Sequence, residues 1–252
     1  MKKRGQVTIF IVVGLVMVGL FVAIFSLGGR KMDTATLPER GVEQFVGSCL
    51  EKVGEDGAYL LGLQGGYYQV PQPSVMAFSY ASPLYLMEGK SFFPDRAALE
   101  EQLSLYVEEG LGSCLHHFSS YEEQGFQVET AQLRVKTEIV PGRIRFLAEY
   151  PVTLSKGDTV ASYDMFTATL PLDLYAYFEQ VQTTFPLQQE SAEAVPFGAL
   201  THLAYKKDYT LELDWVDDQT VLYVFLFDAG KEKPFIFSYG VRYNWGNQLT
   251  LP

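Results

Sequence analysis

The sequence is poor in the residues from which metal and redox sites are built. Its 252 residues include three histidines and two cysteines, whereas zinc usually needs three or four converging ligands. His116 and His117 are adjacent, so on a helix their side chains point about 100° apart and do not readily share a metal. The two cysteines do not form a C-x-x-C motif, which argues against a catalytic dithiol. The sequence therefore predicts no metal site and no cofactor.

Signatures of catalysis and nucleotide binding are missing as well. The chain contains no G-x-S-x-G, no P-loop and no G-x-G-x-x-G motif. Its 30 acidic residues make carboxylate pairs inevitable, so no pair by itself indicates a general acid and base. Asp214, Asp217 and Asp218 cluster but lack the D-x-D-x-D-G spacing of a calcium loop, which favours a solvated turn. We expect a protein that is not an enzyme.

The chain does contain one long apolar run at its amino end. The run extends from Val7 to Leu27 without a charge, and its polar members are Thr8 and Ser26. A helix of this length crosses a hydrocarbon core of about 30 Å and satisfies every backbone polar group internally. We therefore predict a membrane anchor, a single transmembrane helix over 6–29.

Charge predicts the orientation of this anchor and the character of the domain beyond it. Three basic residues at positions 2–4 precede the apolar run, and such flanks stay in the cytoplasm. The remainder after residue 31 carries 14 basic and 30 acidic residues, a net charge of −16. A domain this acidic is a poor partner for nucleic acid. We predict a single-pass protein of the cytoplasmic membrane, with its amino terminus inside and an extracytoplasmic carboxy-terminal domain.

The junction before the apolar run carries a family resemblance. A short basic flank at residues 1–5 ends in Gly5, and polar Gln6 opens the apolar helix. This arrangement resembles the class III signal peptide of type IV pilin-like proteins, especially archaeal ones. The resemblance covers about the first 30 residues and implies cleavage by a prepilin peptidase between Gly5 and Gln6. Phe10 would then be the fifth mature residue, where bacterial pilins commonly carry Glu.

Two roles remain open. In the first, the protein is a pilin-like structural or adhesive component of the cell envelope, with self-association or other envelope proteins as partners. In the second, an uncleaved signal anchor permanently holds an extracytoplasmic domain that binds a ligand or a partner in an envelope complex. A third role, an anchored hydrolase, has no residue signature to support it.

Beyond a connector at 30–37, periodicity predicts an α+β domain over 38–252. Apolar residues at three- and four-residue spacing indicate a helix over 38–64, ended by Gly65-Gly66, and a second helix over 95–118. The Pro- and aromatic-rich segment 67–93 is predicted to be a long ordered loop with a short hairpin at residues 88–90.

From Phe126 the period changes to two, which is typical of strands. We predict an interrupted strand over 126–139, a turn at Pro141-Gly142, and two further strands up to Leu170. Helices near 172–185 and 196–206 then precede a second antiparallel meander over 209–243. The helices are expected to pack on antiparallel sheet, in two helix-plus-three-strand meanders with a possible subdivision near 120–170.

The two cysteines occur in matching tetrapeptides. Cys49 and Cys114 each lie in the sequence Gly-Ser-Cys-Leu, on the apolar stripe of the first and of the second helix. Two cysteines in an external domain favour one disulfide, which would join the two helices. The alternative is two buried thiols that behave as small apolar groups.

Overall fold

A long helix opens the folded part of the chain, which we describe from a computed structural model over residues 39–77, 79–191 and 193–245. The helices are α1 (Glu39–Leu63), α2 (Arg96–Cys114), α3 (Ser119–Glu122), α4 (Leu174–Glu190) and α5 (Phe197–Lys207). The strands are β1 (Ser74–Ala77), β2 (Tyr80–Met87), β3 (Lys90–Ser91), β4 (Gln127–Thr130), β5 (Arg134–Val140), β6 (Arg143–Lys156), β7 (Thr159–Leu170), β8 (Thr210–Trp215), β9 (Thr220–Phe227) and β10 (Phe235–Arg242). The predicted α+β class is confirmed, and the described residues belong to one compact unit.

The small sheet is an antiparallel meander with a broken edge. β7 pairs along one side of β6, and β4 and β5 pair in succession along the other. Residues 131–133 separate β4 from β5, although the Ala131 N–H still donates to the Pro151 carbonyl at 2.9 Å. The predicted phase slip is thus a break between two short strands. Clean alternation in β6 buries Ile144, Phe146 and Ala148 on one face and leaves Arg143, Arg145 and Glu149 exposed on the other.

The large sheet corrects the prediction of purely antiparallel meanders. β8, β9 and β10 form the expected antiparallel meander. However, β2 pairs with β10 in parallel, and β1 and β3 pair with β2, which makes a six-stranded mixed sheet in the order β1-β2-β10-β9-β8. The segment 67–93 was therefore wrongly predicted as a loop, although its hairpin turn at residues 88 and 89 is present. Tyr85 and Leu86 of β2 are fully buried in this sheet.

Helix α1 packs against both sheets because its glycines allow close approach. An added Cβ would lie 2.4 Å from the Phe146 ring at Gly54 and 2.3 Å from the Ile236 carbonyl oxygen at Gly62. Gly65 and Gly66 then end the helix with φ angles of 57° and 80°, as the sequence predicts. Helix α1 thus contacts both sheets, and it follows the predicted connector in the sequence.

Aromatic side chains fill the space between α4 and the large sheet. The Tyr177 ring stacks on Phe227 and Phe235, with centroids 4.7 and 5.0 Å away. Tyr239 stacks between Tyr85 and Tyr223 at 4.3 and 5.5 Å. These rings bury much of the apolar area that stabilises the domain.

Candidate functional site

A disulfide joins the first two helices of the domain. Cys49 and Cys114 are bonded across 65 residues, with their Cα atoms 5.7 Å apart. The helices meet closely around this bond, because an added Cβ at Gly57 would lie 2.5 Å from Tyr106 and 2.8 Å from Leu103. The two cysteines that the matching tetrapeptides predict to pair are therefore bonded. The bond joins α1 to α2 about three turns after the start of α1.

A left-handed turn follows the disulfide. His116, His117 and Phe118 have φ angles of 45°, 51° and 61°, a conformation that costs roughly 1–2 kcal/mol per non-glycine residue. Burial of the Phe118 side chain against Phe45 and Tyr121, with centroids 6.1 Å away in each case, offsets this cost. Both histidines are exposed. Within the described ranges, no three His, Cys, Asp or Glu side chains are grouped as metal ligands.

Helix α2 also covers the free edge of the small sheet. Three of its side chains, one turn apart, accept the outward backbone N–H groups of β5. Glu100 Oε1 accepts from Ile139 at 2.8 Å, Ser104 Oγ from Thr137 at 3.0 Å, and Glu108 Oε1 from Val135 at 2.6 Å. Edge strands otherwise offer these groups to other chains. The small sheet is therefore closed on the β5 side.

The turn between β9 and β10 is fixed to two helices by charged groups. Lys233 donates to Glu55 of α1 at 2.7 Å, which raises the pKa of Lys233. Asp228 accepts from Lys231 and from the Tyr177 hydroxyl of α4, both at 2.5 Å. The Lys231 bond, followed by the Tyr177 bond, lowers the pKa of Asp228, whereas burial and the Asp228 contact raise that of Tyr177. The Asp228 carboxylate is thus already engaged by a cation and a hydroxyl.

A half-open cleft of about 360 Å³ lies between the start of α2 and α4. The Arg96 guanidinium lines this cleft. It lies 3.7 Å from the Glu100 carboxylate and 5.6 Å from the centroid of the Tyr175 ring. Glu100 is in turn occupied by the Ile139 N–H. Tyr175, which also lines the cleft, is hydrogen-bonded to Glu179, and this bond raises the pKa of the Tyr175 hydroxyl.

The open face of the small sheet carries a basic strip, which we define as Arg134, Lys136, Arg143 and Arg145. Register places these side chains on the face opposite the core, with Glu138 directly across from Arg145. The alternation of Arg143 and Arg145 with apolar residues was evident from the sequence, whereas Arg134 and Lys136 were not singled out. The signal was available, because the two-residue turn at Pro141-Gly142 fixes which residues of β5 and β6 face each other.

No family model, no curated protein and no solved structure matches this chain.

The remaining predicted site residues lie outside the described ranges. These are Gly5 and Gln6 of the predicted processing site and Val7 and Leu27 of the predicted anchor. In the part of the chain that the structure covers, no helix has the length and apolar character needed to cross a membrane. Asp214, Asp217 and Asp218 lie at the end of β8, where Asp217 Oδ1 accepts the N–H groups of Gln219 and Thr220 at 2.8 and 2.7 Å.

Proposed function

We propose that this protein is a non-catalytic structural or adhesive component of the cell envelope, anchored in the cytoplasmic membrane by its amino-terminal segment. The observation that carries the proposal is the apolar run from Val7 to Leu27 behind three basic residues. The domain after this run contains a disulfide, and such bonds persist in oxidising compartments outside the cytoplasm. Together they support a domain held outside the membrane.

The position of the disulfide suits an anchored domain. Any pull from the membrane enters through the connector and reaches α1 first. Cys49 lies in the first half of α1 and passes this load to α2 through a covalent bond. Helix α2 then holds the small sheet through the three bonds to β5. The first helix after the connector is thus joined covalently to α2 and through α2 to the small sheet.

The pilin-like interpretation adds processing by a prepilin peptidase between Gly5 and Gln6. Mass spectrometry of the full-length protein purified from its native membrane tests this step. We expect a mature terminus at Gln6, and we expect Gly5→Leu to retain Met1, because the resemblance implies cleavage directly after a glycine. Lys3→Gln serves as the matched control, since it alters the leader but leaves the Gly5-Gln6 bond intact.

An intact Met1 in the wild-type protein would remove the pilin-like interpretation and leave the second role. In that role an uncleaved anchor holds a domain that binds a ligand or partner in an envelope complex. The presence of Phe10, where bacterial pilins commonly carry Glu, argues for a minor or non-filament role. Electron microscopy of the native cell surface separates the two further, because filaments are expected from the first role only.

A further inference from the structure

The charges of the domain are segregated by face. After residue 31 the sequence has 14 basic and 30 acidic residues. Four of the basic residues form the basic strip on the open face of the small sheet. Two acids share this face, Glu138 opposite Arg145 and Glu149 opposite Arg134, so the face carries a net charge of +2. An otherwise strongly acidic domain thus has one face that attracts anions.

The charges of the basic strip are largely available. Lys136 and Arg145 share Glu138 at 3.0 and 3.9 Å, and their side chains remain 70% and 49% exposed. Among the residues that the structure describes, Arg134 and Arg143 have no carboxylate oxygen within 4.0 Å. Exposed pairs of this kind contribute little to stability. The charges of the basic strip are therefore accessible to a binding partner.

The face is otherwise suited to contact. Strand β7 adds two threonines to the same face, beside the basic strip. Thr167 faces Leu147, and Thr169 faces Arg145. Met165, opposite Glu149, is 56% exposed and supplies an apolar group beside the charges. The core of the small sheet packs against its other face. Packing of the fold therefore does not require charged, hydroxyl and apolar side chains to lie together on the open face.

A surface of opposite charge occurs on the same chain. We define the acidic strip as Glu212, Asp214, Asp217 and Asp218, at the β8 edge of the large sheet and in the turn after it. Arg242 approaches Asp217 at 3.9 Å, which leaves a net charge of −3. Burial acts against ionisation of Asp217, but hydrogen bonds from Gln219 and Thr220 and the charge of Arg242 outweigh it and lower its pKa. Trp215, 54% exposed, follows Asp214 in β8 and points to the opposite face of the strand from Glu212 and Asp214.

From this complementarity we infer that the basic strip is a docking surface for the acidic strip of a second copy of this chain. The two strips carry net charges of opposite sign, and the exposed Met165 side chain lies on the same face as the basic strip. Methionine is enriched at protein–protein contacts of this kind. The inference deepens the proposed structural role and rests on it.

The contact is heterologous, since two different surfaces meet. Each copy keeps one free basic strip and one free acidic strip after pairing. Contacts of this kind continue into rings or open rows, unlike a two-fold dimer in which one surface pairs with itself. The attraction is expected to weaken with salt, because the screening length falls to about 8 Å at physiological ionic strength.

Cysteine crosslinking between two tagged full-length populations tests the contact. One population carries Arg143→Cys, the other Asp214→Cys, and both are reconstituted into the same vesicles and oxidised. The native cysteines are bonded to each other and do not compete. We expect crosslinks that join the two tags, at least tenfold more than with the matched control Lys207→Cys, which is exposed on α5.

Charge reversal supplies the second arm. Adding Lys136→Glu and Arg145→Glu to the first population is expected to remove the crosslink, and Glu212→Lys with Asp218→Lys in the second is expected to restore it. Crosslinks that survive reversal, that form equally with Lys207→Cys, or that join Arg143→Cys to itself would overturn the inference. Topology is measured separately by labelling intact cells, so an external domain that fails to crosslink refutes this contact alone.

Discussion

At the scale of single residues, the bond between Cys49 and Cys114 has the largest expected effect on stability. It closes a 65-residue loop, for which the chain-entropy account gives about 4 kcal/mol. We predict that replacing both cysteines by alanine lowers the free energy of unfolding by up to that amount, measured by urea denaturation. Replacing the exposed neighbours Ser48 and Ser113 by alanine is the matched control and is expected to change it by less than about 0.5 kcal/mol.

A loss below about 1 kcal/mol for the double cysteine variant would contradict this account. It would mean that packing between α1 and α2, rather than the covalent bond, holds the two helices together. Reduction of the wild-type protein by a thiol gives an independent test, because it breaks the bond without removing either side chain.

Residue patterns predicted this bond but not its setting. The repeated Gly-Ser-Cys-Leu marked the two cysteines as a pair. Helical periodicity then placed each cysteine on the apolar stripe of its helix. The left-handed turn of His116, His117 and Phe118 was not foreseen, because non-glycine residues adopt positive φ singly and seldom three in a row. Burial of Phe118 against residues distant in sequence, such as Phe45, stabilises it.

At the scale of elements, the bonds from α2 to β5 are expected to hold the edge of the small sheet. Removing the Glu108 carboxylate would leave the Val135 N–H without its acceptor at 2.6 Å, a loss of about 1–3 kcal/mol. We predict that Glu108→Ala destabilises the domain by that amount and speeds hydrogen exchange at the Val135 amide. Glu101→Ala, on the same helix but exposed, is the control and is expected to leave both quantities unchanged.

Unaltered exchange at Val135 in the Glu108→Ala variant would show that water replaces the carboxylate without cost. The Thr137 amide offers a further check within the same measurement. Its acceptor is Ser104, so it is expected to remain more protected than the Val135 amide.

Strands with regular alternation were predictable, whereas those defined by distant partners were not. β6 was predicted from its alternation, and β9 from an apolar run rich in β-branched and aromatic residues. β2 was missed because Pro83 and a run of apolar residues on both faces obscure its period. Its parallel partner β10 lies more than 150 residues later, and no local pattern encodes that pairing.

At the scale of the whole molecule, a cluster of buried tyrosines links stability to pH. Burial raises the pKa values of Tyr85, Tyr223 and Tyr239, and it raises that of Tyr243 to about 12 despite its bond to Tyr223. The unfolded chain, with tyrosines at their ordinary value of 10.0, then loses protons at lower pH than the folded one. The contribution of these tyrosines to the free energy of unfolding is therefore fully present below pH 10 and is lost as pH rises through 12.

We predict that the urea midpoint of unfolding declines steeply over this alkaline window, and that tyrosinate absorbance rises together with the loss of circular dichroism. Tyr243→Phe removes one of the titrating groups and is expected to make the decline shallower. A midpoint that stays constant up to pH 12 would contradict the burial of ionisable hydroxyls in this cluster.

The segregation of charge between faces was only partly readable from the sequence. Net charge and the alternation of Arg143 and Arg145 were evident. Their grouping with Arg134 and Lys136 follows from the register of the hairpin between β5 and β6. The opposite strip depends on β8 being an edge strand, which is decided by the order of the whole large sheet.

The central claim is that the acidic domain lies outside the cytoplasmic membrane, and one labelling measurement tests it most directly. A Lys207→Cys variant has a single free thiol on exposed α5, while Cys49 and Cys114 remain bonded. Intact wall-free cells are treated with a membrane-impermeant maleimide, with the wild-type chain and a cytosolic thiol protein as controls. The account predicts that the variant is labelled before lysis and that neither control is; labelling of the variant only after lysis would contradict it.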